Sequence, residues 1–259
     1  MNHPPPPATI PPADLLARLE AIATSLQSYP GALGLIGLGS VGQERERLDA
    51  YSDLDFFVIV EAAQKDTMLA NLAWLAQPAP ITYAVRNTAD GYKVLYADGI
   101  FCEFAVFTPD ELRTAASSGA VLIWERPGTR LMLPAPVAPA EQPDVAWQLG
   151  EALTNLYVGL GRLQRGEQLS ALRFIQHYAV DRVLALAAQV ESRGPVTPDP
   201  FANERRIEQR YPGLAEQLPA FMQGYSRSAE SALAILAYLE QHWEINPQLT
   251  ALIRARAII

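Results

Sequence analysis

Apolar positions along this chain change spacing several times, and each change marks an element. From Ala13 to Gln27 the residues Leu15, Leu16, Leu19, Ile22 and Leu26 recur at helical intervals, with Asp14 placed to favour the positive end of the helix dipole. Ala32 to Leu38 is a short apolar run bounded by glycines, and Leu54 to Val60 is a second, rich in β-branched and aromatic residues. Both predict buried strands. Thr67 to Ala76 predicts a helix capped by Asp66. Strand-like pieces follow at Ile81 to Val85, Tyr92 to Tyr96 and Ile100 to Phe107, separated by the turn pairs Asp90-Gly91 and Asp98-Gly99. Thr108 then opens a helix with Pro109 at its first position and Glu111 three residues on, the pattern of a capping box.

Beyond this point the character changes. Four prolines between Leu133 and Pro143 predict an interdomain linker over residues 133–144. Helical spacing runs from Val145 to Glu191 with a break near Gly166, yields to a proline-rich loop from Gly194 to Pro200, and resumes over Asn203 to Arg210, Leu214 to Trp243 and Pro247 to Ala257. Pro219 and Gly224 are expected to interrupt the middle one of these. The fold class that follows is α/β (α+β): a mixed-sheet domain over residues 13–132, then an all-helical domain over 145–259. Residues 1–12, rich in proline, read as a disordered lead-in.

Composition narrows the function classes. With 259 residues, 49% of them apolar and 19% charged, the chain has ample material for a core, and no run approaches the roughly 20 apolar residues of a membrane helix. A net charge of −8 argues against a general electrostatic grip on nucleic acid and suits a cationic ligand, although mild acidity also serves solubility alone. A lone Cys102 and a start without signal-peptide features fit a cytoplasmic protein. His3, His177 and His242 are scattered, with no zinc spacing and no nucleophile elbow, so the chemistry is expected to run on carboxylates.

Those carboxylates stand in a stretch that opens with Leu38-Gly39-Ser40 and, after twelve intervening residues, continues with Asp53-Leu54-Asp55-Phe56. Two apart on a strand, Asp53 and Asp55 leave the same face, with Cα atoms roughly 6.6 Å apart. Like charges so placed repel, by about 4 kcal/mol at 4 Å and an effective dielectric of 20, and a divalent cation such as Mg²⁺ relieves the repulsion. Gly39 and Ser40 follow a strand, where glycine admits a phosphate close to the backbone and the serine hydroxyl donates to it. Arg45 and Arg47 can reach a triphosphate or sit in a solvated loop. Glu103, the one acid within Ile100 to Phe107, is expected to supply a third carboxylate, as metal ligand or as the base for an acceptor hydroxyl; sequence does not separate the two.

Taken together, LGS…YSDLDFF resembles the signature of the polymerase-beta-like nucleotidyltransferase superfamily, and Gly-Ser-Val-Gly with Tyr-Ser-Asp-Leu-Asp is most similar to its aminoglycoside and lincosamide nucleotidyltransferases. The match covers Leu38 to Val60, with Glu103 a weaker continuation. The resemblance implies transfer of a nucleotide, usually AMP from ATP-Mg²⁺, to a hydroxyl of a small molecule, with release of pyrophosphate. It also implies that Ser52 lies against the triphosphate. Gln43 stands where some relatives place an arginine, which leaves open whether Arg45 or Arg47 substitutes.

Three rivals compete. Gly37-x-Gly39-x-x-Gly42 with Glu61 about twenty residues on spells the dinucleotide-binding fingerprint of a nicotinamide oxidoreductase, but Gln43 to Ser52 is too short and polar for the helix that fold requires. A nucleotidyltransferase acting on a protein or a tRNA keeps the same site with another acceptor. A relative with a decayed site would not be expected to retain Gly39, Ser40, Asp53 and Asp55. In the helical domain Arg162, Arg165, Arg205, Arg206, Glu151, Glu167 and Tyr157 read as a solvated face rather than as substrate contacts, and the four tryptophans as packing.

Overall fold

The computed structural model describes residues 9–117, 119–137 and 144–258. Residues 1–8 of the expected lead-in, with His3, and residues 138–143 of the expected linker lie outside them. The chain divides into two compact units, Met1–Ala138 and Pro139–Ile259.

In the first unit the order is α1 (Pro12–Gln27), β1 (Ala32–Gly37), β2 (Leu54–Val60), α2 (Lys65–Ala70), α3 (Ala73–Ala76), β3 (Ile81–Arg86), β4 (Gly91–Tyr96), β5 (Phe101–Phe107), α4 (Pro109–Leu112) and β6 (Val121–Glu125). The six strands form one mixed sheet in the order β3-β4-β5-β2-β1-β6. Only β2 and β5 run parallel; each other neighbouring pair is antiparallel.

Side chains alternate across this sheet, and the two faces differ. Leu54, Phe56 and Val58 of β2 and Cys102, Phe104 and Val106 of β5 join Leu15, Leu19, Ile22 and Leu26 of α1, with Met68, Leu69, Trp74 and Leu75, in the main core. Phe104 lies at its centre: it stacks on Phe56 at 5.4 Å and Tyr92 at 6.0 Å and meets the Trp74 edge at 5.2 Å. The opposite face carries a smaller cluster of Ile36, Ile59, Leu112 and Ala120. By alternation Asp55 and Glu103 belong to that second face, which is only half-buried along β5.

Local signals explain most boundaries. The capping box forms as expected, the Glu111 amide donating to Thr108 Oγ1 at 3.3 Å and the Thr108 amide to Glu111 Oε2 at 2.8 Å. The single helix expected over Thr67–Ala76 is instead two short ones, and Asp66 sits inside the first turn of α2 rather than capping it. Asn71 causes the break: its backbone is extended and its side chain accepts the Ala73 amide at 2.9 Å, offering the chain a bond that competes with the helix. The edge strand β6 has no counterpart in the sequence reading. Val121-Leu122-Ile123-Trp124 is too short an apolar run for periodicity to identify, and pairing with β1 makes it a strand.

The second unit is wholly helical among the described residues: α5 (Val145–Gln164), α6 (Gln168–Leu172), a π-helical segment (Arg173–Ala179), α7 (Val180–Val190), the short α8 (Ile207–Arg210), α9 (Pro212–Ala215) and α10 (Leu218–Phe221), then α11 (Ser228–His242) and α12 (Pro247–Ala257). The break near Gly166, where φ is +78°, and those around Pro219 and Gly224 fall where expected. From the π-helical segment the buried Gln176 clasps the loop before α11: its Nε2 donates to the Gly224 carbonyl at 2.8 Å and its Oε1 accepts the Gly224 amide at 2.9 Å. Its Nε2 also lies 3.1 Å from the buried Ser228 Oγ, so Gln176→Ala is expected to destabilise this unit by about 1–2 kcal/mol, through the lost clasp and the buried hydroxyl left without this partner. Urea unfolding checks this; a loss below ~0.5 kcal/mol would mean water replaces the clasp.

Candidate active site

The end of β1 and the start of β2 are joined by a backbone bond, the Leu38 amide donating to the Asp55 carbonyl at 2.9 Å. Immediately after Leu38 the chain makes a single 3-10 turn, Gly39–Val41. Gly39 adopts φ +52°, open to glycine and strained for other residues. Its carbonyl accepts the amides of Gly42 and Glu44, both at 3.0 Å, so the turn closes on itself beside Asp55. The Gly39 and Ser40 amides open this turn, where a helical start leaves N–H groups without internal partners. Ser40 is buried in the turn.

Of the two arginines, the structure brings Arg47 to this turn and leaves Arg45 exposed. The Arg47 guanidinium lies over Gly39, so close that a Cβ there would meet its Nη2 at 3.3 Å, and its Nε pairs with Glu44. Ser52 bonds within its own loop. Its hydroxyl accepts the Asp49 amide at 3.0 Å and donates to Asp49 Oδ1 at 3.2 Å, within a tight loop that also leaves Tyr51 exposed.

Asp53 precedes β2 and Asp55 is its second residue. Parallel pairing of β2 with β5 sets Asp55 in register with Glu103 and Leu54 with Cys102. Burial pushes the Cys102 thiol up to about 12, and the charges of Asp55 and Asp53 add to the shift while Arg18 opposes it. Cys102 therefore stays a protonated core residue and is no nucleophile.

Glu103 does not close on the aspartates. Its Oε1 accepts from Asn87 Nδ2 at 2.7 Å, and its Oε2 pairs with Lys93 Nζ at 3.2 Å. Lys93 is its register partner on β4, and Asn87 follows β3 in the turn to β4. That turn is anchored by Lys65, whose ammonium reaches Asp90 at 2.7 Å and Glu111 at 2.6 Å. Partial burial lowers the Lys65 pKa, but both bonds outweigh it and hold the ammonium above its ordinary value. Among the described residues no three His, Cys, Asp or Glu side chains gather into a ready ligand set. The donors still fit magnesium in kind, since Mg²⁺ takes hard oxygen ligands and is commonly held by one or two carboxylates plus substrate phosphates and water.

Sequence reasoning missed Lys93 and Asn87. The signal for Lys93 was a lone cation in a strand one turn away from a lone acid; Asn87 gave none, being one more polar residue near a turn.

The dinucleotide-binding alternative is overturned here. That fingerprint needs parallel strands joined by a helix, whereas β1 and β2 are antiparallel and only 3-10 turns lie between them. The glycines have local reasons: a Cβ on Gly37 would meet the Val41 carbonyl at 2.7 Å, and one on Gly42 the Gly119 carbonyl at 2.3 Å.

No protein-family profile matches the chain, and no curated protein matches it either. Among solved structures it is similar to an aminoglycoside 6-adenyltransferase from Bacillus subtilis, at 12% identity and a TM-score of 0.33, over 92% of this chain and 89% of that one. It is also similar to a STING-associated CdnE c-di-GMP synthase from Capnocytophaga granulosa (12% identity, TM-score 0.30, 95% of this chain and 79% of that one). A third is the CD-NTase CdnG of Bradyrhizobium diazoefficiens in complex with GTP (12% identity, TM-score 0.29, 97% and 87%). Scores this low carry no functional weight, so the chemistry rests on the residues above.

Proposed function

We propose that this chain is a metal-dependent nucleotidyltransferase that moves AMP from ATP to a hydroxyl of a small molecule, an aminoglycoside or lincosamide antibiotic, and releases pyrophosphate. The observation that carries this reading is the junction of β1 with β2: Leu38, just before the Gly-Ser turn, is hydrogen-bonded to Asp55 on β2, Asp53 immediately precedes that strand, and Glu103 is in register with Asp55. Residues 13–132 form the catalytic domain and 145–259 the acceptor-binding domain. A net charge of −8 favours a cationic acceptor.

Asp53 and Asp55 would hold magnesium, which when bound would supply charge neutralisation at the triphosphate. The chain's own groups do the rest. Gly39, Ser40 and Arg47 bind the phosphates, with Arg45 and Ser52 at the edge of that site. Glu103 stands as third carboxylate, either joining the metal or accepting the acceptor proton. The acceptor oxygen bonds to the α-phosphorus as the bond to pyrophosphate breaks, and the rate gain comes from positioning and electrostatics.

Mass spectrometry tests this directly: ATP, Mg²⁺ and a panel of both antibiotic classes should yield an adduct of roughly 329 Da, one adenylyl group. Adenylylation of a protein or a tRNA, with none of the antibiotics modified, overturns the small-molecule acceptor. Between the arginines, Arg47→Ala should raise the KM for ATP about tenfold, near the 1.5–3 kcal/mol of a charged hydrogen bond. Arg45→Ala should leave it nearly unchanged. Steady-state kinetics on both variants checks this, and the reverse ranking would assign the phosphates to Arg45.

A further inference from the structure

Resting on that reading, we propose that Lys93 is a built-in counter-ion that keeps Glu103 out of the metal's ligand set until metal-bound nucleotide arrives. Three observations carry it. Lys93, Glu103 and Asp55 lie in one register row across β4, β5 and β2, so the ammonium and the aspartate flank Glu103 on either side. The carboxylate is committed on both oxygens, to Asn87 at 2.7 Å and to Lys93 at 3.2 Å. No three-carboxylate group forms among the described residues, although the register alone would allow Glu103 to join Asp53 and Asp55.

The energetics make the arrangement reversible. Three carboxylates crowded together without a cation repel one another, and Lys93 supplies a positive charge from within the chain. The side chains of Lys93 and Glu103 are 45% and 40% exposed, so the pair is screened and weak. A divalent ion brings twice the charge and, with a triphosphate already on the Gly39 turn, further ligands. It displaces the ammonium, whereas the ion by itself competes poorly. Lys93 is thus a positioning residue: it couples occupation of the cation site to nucleotide and spares the nucleotide-free protein from gathering metal.

Manganese binding to the nucleotide-free chain, followed by electron paramagnetic resonance, tests the proposal without any turnover. Lys93→Met should tighten Mn²⁺ binding about fivefold, the upper range for an exposed pair, and Lys93→Arg should restore the parent affinity. The gain should vanish when Glu103→Gln is combined with Lys93→Met. A gain that survives in the double variant would reflect general charge and overturn the counter-ion role, as would no gain while Asp53→Asn still weakens binding. If Asp53→Asn leaves Mn²⁺ affinity unchanged, the cation site itself is refuted, and with it the reading beneath. Thermal melts of the Lys93 and Glu103 variants should match the parent, because the pair lies outside the core.

Discussion

Asp53→Asn should lower adenylyl transfer by on the order of 10²–10³-fold while leaving the protein folded. The amide keeps the size of the carboxylate but loses the charge that holds a divalent cation, and removing one preorganised charge-stabilising group typically costs about 3–4 kcal/mol of barrier. The loss should appear in kcat more than in the KM for ATP, because the phosphates keep the Gly39 turn and Arg47. Stability should hold or rise, since a like charge beside Asp55 is removed. Single-turnover kinetics with ATP-Mg²⁺ and circular dichroism on the same preparation check both halves. Activity within tenfold of the parent would refute the metal role of Asp53.

Phe104→Ala is expected to have the largest effect on stability, about 3–5 kcal/mol, through lost transfer energy and the cavity left behind. Its ring touches Phe56, Trp74 and Tyr92 at once, and those neighbours come from three different elements. Trp74 is held by a hydrogen bond from its Nε1 to the Met68 carbonyl at 3.1 Å, so it cannot collapse freely into the space. Residue 104 also follows Glu103, so a residual activity measured below the melting transition separates misfolding from a displaced carboxylate. Denaturant unfolding with a loss under ~1 kcal/mol would show that the core relaxes around the gap.

Much of the fold was legible in the chain because its signals are local. Spacing alone predicts α1, β1, β2, the three strands from Ile81 to Phe107 and α12, and the Thr108 capping box is readable from four residues. Alternation predicts Asp53 and Asp55 on one strand; the structure starts β2 at Leu54, so Asp55 lies on it and Asp53 just before it. Where non-local contacts decide, spacing fails. β6 exists because β1 offers an edge, and Asn71 breaks a helix because its side chain can serve the backbone.

The surroundings of Glu103 show the limit most clearly. A two-residue Asp98-Gly99 loop pairs Ala97 with Ile100 and so sets Glu103 opposite Val94; the structure instead pairs Val94 with Cys102 and Lys93 with Glu103. A slip of one residue moves every side chain of a strand to the other face, and no spacing within a single strand encodes it. From residues alone came the elements, the mixed sheet followed by helices, and an aspartate pair near a Gly-Ser turn. Register, and with it the partners of Glu103 and the nearness of Arg47 rather than Arg45, came only from the packed sheet, because those neighbours are chosen by burial and pairing across the fold.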